Sequence, residues 1–210
     1  MYKNYQNLNN EIKEYFKILS PDFPDWLNDY INTEEMQRVD GISNSCGTDY
    51  SKLIGTEYWY SNLTHSIGVA LIIWNFTHSK EQTLAGLFHD IATPAFKHCI
   101  DFMNGDAKNQ ESTEERTESI ILASKDIMNL LKRDNIDYKK VNDYKIYPIA
   151  DNDMPKLSAD RLEYTFSSGL VCKRVWNLEN IRKCYENIII LKNEDGVEEL
   201  GFKDKEIAES

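Results

Sequence analysis

The most uniformly apolar stretch of the chain begins at Leu63 and reads LTHSIGVALIIWNFTHS. It is too apolar on all sides for a surface helix and too long for a typical strand, so it predicts a central buried helix. The next stretch, KEQTLAGLFHDIA, predicts a second buried helix that ends at Ala92. Thr93 and Pro94 then suit the start of another helix, which runs through Phe102.

Shorter segments with apolar residues at helical spacing surround this pair. They predict amphipathic helices over residues 8–19, 33–43, 112–132, 157–166 and 178–187, and a loop with one short helix over 137–155. The period changes in NIIILKNEDGVEELGF, where two strand-like runs flank Asp195 and Gly196, a pattern typical of a β-hairpin. The chain is therefore predicted to be an all-α helical bundle with a small C-terminal β-hairpin.

No repeat or low-complexity linker interrupts the 210 residues. This length fits a single ordinary domain with one core. We expect one domain over residues 1–210, with the hairpin at 188–201 as an appendage.

Composition narrows the classes of partner. Lys and Arg total 24 against 35 Asp and Glu, so the formal net charge of −11 opposes binding to nucleic acid. A small anionic substrate remains possible where a bound metal cation reverses the local field. No apolar stretch approaches the roughly 20 residues that span a membrane, and the N-terminus lacks a secretory signal. We expect a cytoplasmic protein that does not bind membranes.

The candidate chemistry lies in the apolar helices. His65 falls within the first buried helix, and His89 and Asp90 end the second. A buried carboxylate at the end of an apolar run is costly unless a cation neutralises it. Asp160 adds another carboxylate on the amphipathic helix LSADRLEYTF. Two imidazoles and two carboxylates suit a divalent Mn, Fe, Co, Ni, Zn or Mg ion, although a single buried His more often has an ordinary protein partner.

Three segments resemble the signature motifs of the HD-domain metal-dependent phosphohydrolases. They are THSIGV (64–69), GLFHDI (86–91) and ADRLEY (159–164), in the order of that family. The longer segment FHDIATPAFKHCID resembles the second motif of deoxynucleoside triphosphate triphosphohydrolases, with His89, Asp90, Phe96, His98 and Asp101 on matching positions. The resemblance extends over about residues 37–201, and the metal-site core over about 37–187.

The resemblance implies one metal ion held by His65, His89, Asp90 and Asp160. Such an ion activates water for attack on a phosphate ester or anhydride, here of a nucleotide such as a dNTP. The resemblance also implies a homo-oligomer.

The catalytic and substrate-binding candidates follow from the same motifs and from the positions at which this sequence differs from them. The family's catalytic His positions hold Thr93 and Glu114, and its expected phosphate and sugar contacts are replaced at Asn62, Ser167 and Ser168. Asp101, Glu114 and His98 are the catalytic candidates, and Lys97, Arg161 and Tyr164 the substrate-binding candidates; the alternative is ordinary surface or core residues.

Two further hypotheses stay open. The departures from the motifs favour a catalytically weakened, metal- and nucleotide-binding regulatory module as the alternative function. A purely structural helical scaffold is the third hypothesis, but it leaves the buried ionisable residues without a purpose.

Overall fold

The computed structural model describes residues 5–46, 48, 56, 58–96, 103, 105, 116–172 and 174–209. Within these ranges the chain is mostly helical and carries one antiparallel hairpin near its C-terminus. The predicted all-α fold with a small C-terminal hairpin is therefore confirmed.

The described α-helices are short, apart from one. They are α1 (Asn10–Leu19), α2 (Leu27–Ile31), α3 (Glu34–Asp40), α4 (Asn62–Thr77), α5 (Lys80–Phe88), α6 (Thr117–Ala123), α7 (Lys125–Arg133), α8 (Ala159–Ser167), α9 (Leu178–Tyr185) and α10 (Lys205–Ala208). Short 3-10 helices lie at Tyr5–Asn7, Tyr138–Lys140 and Tyr144–Ile146, and a π-helical turn at Ser168–Cys172. The strands are β1 (Ile188–Lys192) and β2 (Glu198–Phe202).

Helix α4 forms the centre of the molecule. All of its residues from Asn62 to Ile73 are buried, and it packs against α1, α3, α5 and α8. This confirms the central buried helix predicted from its uniformly apolar sequence. After α4 ends, His78 adopts a left-handed conformation and Ser79 caps α5, so that α5 packs back along α4.

Gly86 allows the close approach of α5 to α4. A Cβ atom at this position would lie 2.3 Å from Cδ1 of Ile73 and 3.3 Å from Cγ1 of Val69. Any larger residue would have to displace these side chains of α4. Because Gly86 lies three residues before His89, this contact also brings the end of α5 close to α4.

The end of α5 differs from the prediction. The helix ends at Phe88 instead of Ala92, and the chain continues in tight turns. The main-chain hydrogen bonds from Ile91 N to Phe88 O and from Thr93 N to Asp90 O join residues three positions apart, whereas an α-helix joins residues four positions apart. His89 and Asp90 therefore lie on a turn, and the helix predicted from Thr93 lies largely outside the described residues.

The helix predicted over 112–132 is two helices, α6 and α7. Ser124 separates them in an extended conformation, and its hydroxyl accepts a hydrogen bond from Ile127 N at 3.2 Å. Serine favours such N-cap positions because its side chain competes for main-chain donors. Apolar spacing alone did not reveal this break.

The hairpin has the predicted position. Strand β1 pairs antiparallel with β2, with Ile188 opposite Phe202, and Gly196 in the turn has a positive φ of 77°. An isolated bridge between Leu157 and Leu200 joins the hairpin to the segment before α8. Among the described residues, no helix combines the length and apolar character needed to cross a membrane.

The central position of α4 predicts a large difference between two helical leucines. Leu71 on α4 is completely buried, whereas Leu122 on α6 is 46% exposed. We expect Leu71→Ala to lower the free energy of unfolding by about 2–5 kcal/mol, because it leaves a cavity in the core. Leu122→Ala should change it by less than about 0.5 kcal/mol. Urea unfolding of both variants measures the difference, and similar values would contradict the central role of α4.

Candidate metal centre

Three ionisable side chains converge beside α4. His65 comes from α4, His89 from the turn after α5, and Asp160 from the first turn of α8. One potential ligand atom from each lies within 4.8 Å of the other two. Oδ1 of Asp160 is 3.1 Å from Nε2 of His65 and 3.8 Å from Nε2 of His89. The structure thus brings together three of the four residues that the sequence predicts as metal ligands.

Local structure fixes these three side chains. Ser61 caps α4 through Thr64 N at 3.1 Å, so that His65 lies within the first turns of the helix. Ser158 caps α8 and leaves Asp160 in its first turn. Asp160 N also donates to Ala150 O at 3.3 Å. The first turns of two capped helices therefore supply His65 and Asp160 to the site.

The fourth predicted ligand, Asp90, lies at the edge of this group. Its Oδ2 atom is 3.6 Å from Nε2 of His89, and its side chain is 21% exposed. It thus faces the same imidazole nitrogen as Asp160, and the two carboxylates have similar exposure, 21% for Asp90 and 26% for Asp160. The described arrangement consists of two buried histidines and the partly exposed Asp160, with Asp90 as an additional carboxylate beside them.

Hydrogen bonds orient both imidazoles in the same sense. Nδ1 of His89 donates to Gly86 O at 2.7 Å, because a carbonyl oxygen can only accept. Nδ1 of His65 contacts Oε2 of Glu163. With Nδ1 occupied by an acceptor, Nε2 of each ring is the nitrogen directed toward Asp160, and in the neutral form of the ring it offers a lone pair to a metal ion.

The donor set fits a divalent cation. Imidazole nitrogen and carboxylate oxygen bind first-row metals at about 2.0–2.2 Å, so two ligands of one ion lie roughly 3–4 Å apart. The contacts of Asp160 with the two histidines, at 3.1 and 3.8 Å, fall in this range. The acceptors on both Nδ1 atoms complete the pattern that metal-binding histidines require.

The charges of the site shift two pKa values in opposite directions. Burial lowers the pKa of His65, but the charge of Glu163 and the hydrogen bond with Asp160 raise it more, to about 10. Burial raises the pKa of Asp160, but the hydrogen bond with His65 and the charge of His89 lower it below its usual value. The two carboxylates thus strongly favour a positive charge between them.

Glu163 is a residue of this site that the sequence analysis missed. Its side chain is completely buried. Oε1 accepts hydrogen bonds from the hydroxyls of Tyr60 and, at 3.3 Å, Tyr15. Ser167 Oγ lies 3.3 Å from Oε2, the atom that contacts His65. The available signal was spacing, since Glu163 follows Asp160 by three residues and so lies on the same side of α8.

Arg38 was also missed. Its guanidinium donates to Thr93 O at 3.0 Å and to Ile91 O at 2.6 Å. These carbonyls belong to the turns that follow His89 and Asp90. Arg38 therefore ties α3 to the segment that carries half of the predicted ligand set.

The two predicted substrate-binding residues on α8 have different surroundings. Arg161 donates to Lys156 O at 3.0 Å, to Asp151 Oδ1 at 3.1 Å and to the main chain and side chain of Asn152. It therefore holds the loop before α8. Tyr164 is 57% exposed. Contact of either residue with a substrate stays a prediction.

The other predicted site residues lie outside the described residues. They are the catalytic candidates His98, Asp101 and Glu114 and the substrate-binding candidate Lys97. Their roles also stay predictions.

Comparison with known proteins gives two distant relatives. Uncharacterized protein YdhJ of Bacillus subtilis is 28% identical over 141 residues, which cover 66% of this chain and 42% of that protein. Metal-dependent phosphohydrolase cns2 of Cordyceps militaris is 25% identical over 144 residues, which cover 69% of this chain and 40% of that protein. No family model and no solved structure matches the chain.

The chain thus spans about two fifths of the length of the curated relatives it matches. A relative named as a metal-dependent phosphohydrolase, together with the His and Asp group, supports the resemblance to the HD superfamily.

The raised pKa of His65 predicts a pH dependence for the metal-free protein. A histidine of the unfolded chain titrates near 6.5, whereas folded His65 titrates at about 10. Its contribution to stability is therefore complete below pH 6.5 and lost as the pH rises toward 10. Between pH 7 and 8.5 we expect the free energy of unfolding to fall as the pH rises.

Urea unfolding at a series of pH values, with a chelator present, measures this slope. His65→Gln removes the titrating ring and serves as the control, so its slope should be much smaller. A wild-type stability that stays constant over this pH range would contradict the charged environment assigned to His65.

Proposed function

We propose that the chain is a metal-dependent phosphohydrolase whose divalent ion is held by His65, His89, Asp90 and Asp160. The observation that carries this proposal is the convergence of two buried, oriented imidazole Nε2 atoms on one carboxylate oxygen of Asp160. A purely structural role gives no reason for this arrangement, because burying ionisable groups costs free energy that apolar packing avoids. The name of the relative from Cordyceps militaris supports the same activity.

A divalent ion held by these residues would lower the pKa of water at the site and would offset negative charge on the phosphoryl oxygens. The chain's own residues hold the geometry that this chemistry needs. Gly86 O and Glu163 fix the two imidazoles through Nδ1, and Arg38 fixes the turn that carries Asp90.

The substrate class is the finer part of the proposal. We infer a nucleotide, such as a dNTP, on the resemblance of FHDIATPAFKHCID to the triphosphohydrolase motif. Lys97, Arg161 and Tyr164 are the proposed substrate contacts, and Asp101, Glu114 and His98 the proposed acid and base groups. One domain over residues 1–210, assembled as a homo-oligomer, completes the proposal on the same resemblance.

Metal content tests the site directly. We expect purified wild-type protein to carry a first-row divalent metal, and the combined His89→Ala and Asp90→Ala variant to lose it, because two ligands are removed. His78→Ala is the matched control, since this exposed histidine packs on Trp74 at the end of α4. Elemental analysis gives the result, and equal metal content in wild type and the ligand variant would refute the site.

Product analysis tests the reaction. With Mn²⁺ present, we expect release of phosphate, pyrophosphate or tripolyphosphate from one member of a nucleotide panel, and loss of this release in Asp160→Ala. The departures at Thr93 and Asn62 motivate the alternative of a metal- and nucleotide-binding regulatory module. Tight nucleotide binding without turnover, across several divalent metals, would favour that alternative over an enzyme.

A further inference from the structure

The Glu163 carboxylate lies at the centre of a buried polar cluster that the proposed chemistry does not itself use. We call Tyr15, Tyr60, His65, Glu163 and Ser167 the Glu163 cluster. Oε1 receives the two tyrosine hydroxyls, and Oε2 receives Nδ1 of His65 and lies near the Ser167 hydroxyl. Each carboxylate oxygen therefore has two polar neighbours, which matches its two lone pairs.

Every neighbour of this carboxylate is placed to donate. A carboxylate is an acceptor only, whereas a glutamine at the same position would present an NH₂ group toward some of these donors. Removing a carboxylate from water is costly unless its hydrogen bonds are complete. The cluster meets this requirement with side chains from α1, from α8, from α4 and from the segment that leads into α4.

Helix α4 leaves space for the carboxylate of Glu163. Gly68 lies on α4, three residues after His65. A Cβ atom there would lie 2.7 Å from Cγ and 2.8 Å from Oε1 of Glu163. Absence of a side chain at Gly68 thus lets the carboxylate approach α4 and reach His65. This observation is independent of the hydrogen bonds and points to the same contact.

We propose that Glu163 is a positioning residue for the metal ion, which holds His65 with Nδ1 protonated and Nε2 directed to the site. Its hydrogen bonds to Tyr15 and Tyr60 keep the carboxylate in place, so that α1 contributes to the metal centre without supplying a ligand. A carboxylate behind the imidazole also makes Nε2 a stronger electron-pair donor. This inference rests on the proposed function, because it assumes that His65 binds a metal.

Metal affinity measured by competition with a chelator tests the proposal, with Zn²⁺ as the probe. We expect Glu163→Gln to weaken Zn²⁺ binding about 10- to 100-fold, as is typical when the partner of a metal-bound histidine is changed. Tyr185→Phe is the matched control. It removes a buried hydroxyl that bonds to Leu19 O, outside the cluster, and should leave the affinity within about twofold.

A second readout separates positioning from general stability. Proton NMR of the Zn²⁺-loaded protein should show a strongly deshielded Nδ1 proton of His65, which disappears or moves upfield in Glu163→Gln but not in Tyr185→Phe. Thermal unfolding of the metal-free variants identifies any that fail to fold. Should Glu163→Gln fail, Tyr60→Phe and Gly68→Ala keep the carboxylate but disturb its position, and each should weaken Zn²⁺ binding severalfold.

The outcomes distinguish this inference from the proposed function. Wild-type protein that binds no Zn²⁺ would refute the metal site itself and, with it, the role of Glu163. Wild-type protein that binds Zn²⁺, with folded Glu163→Gln binding it equally well, would overturn the positioning role alone. In the event that Glu163→Gln does not fold, unchanged Zn²⁺ affinity in both Tyr60→Phe and Gly68→Ala would overturn it in the same way.

Discussion

The structure depends on one interaction, the placement of His65 between two carboxylates of the same helix. Asp160 contacts Nε2 of His65 and Glu163 contacts Nδ1, so two side chains of α8 bind the imidazole through both of its nitrogens. Glu163 follows Asp160 by three positions, which is the spacing that places them on one side of α8. The contact between α4 and α8 is thereby specified by polar geometry as well as by apolar packing, because the fully buried Glu163 carboxylate requires its hydrogen-bond partners in place.

The hydrogen-bond partners that the Glu163 carboxylate requires come from distant parts of the chain. Tyr15 donates to Glu163 although 148 residues separate them along the chain, so the N-terminal helix must dock before the carboxylate is satisfied. Gly68 and Gly86 remove side chains where α8 and α5 approach α4. Together these features explain why α4 is apolar on every side. It is surrounded by other helices, and its only ionisable side chain, His65, faces the site that they enclose.

The convergence of the site residues could be predicted from the sequence. A histidine within a uniformly apolar helix, and an adjacent His and Asp at the end of another, are costly unless they meet a partner. That cost predicts their convergence. Helix boundaries were less accessible, since the end of α5 at Phe88 and the break at Ser124 depend on single main-chain and hydroxyl hydrogen bonds.

Glu163 was inaccessible for a related reason. Apolar spacing on α8 gives the buried side of the helix, but an acid at its border looks the same whether it meets solvent or tyrosine hydroxyls from distant segments.

The excess of acidic residues affects how the candidate metal centre binds an anionic substrate. Asp90, Asp160, Glu163 and Asp151 lie in or beside it, and Arg161, the nearest described cation on α8, is occupied by the loop at Asp151 and Asn152. On a chain of net charge −11, a phosphate group meets repulsion there until a cation is bound. Under the proposed function, metal binding and substrate binding are therefore linked, and each must strengthen the other by the same factor. The carboxylates around the two histidines thus also make the site selective for a substrate that arrives after, or together with, its metal.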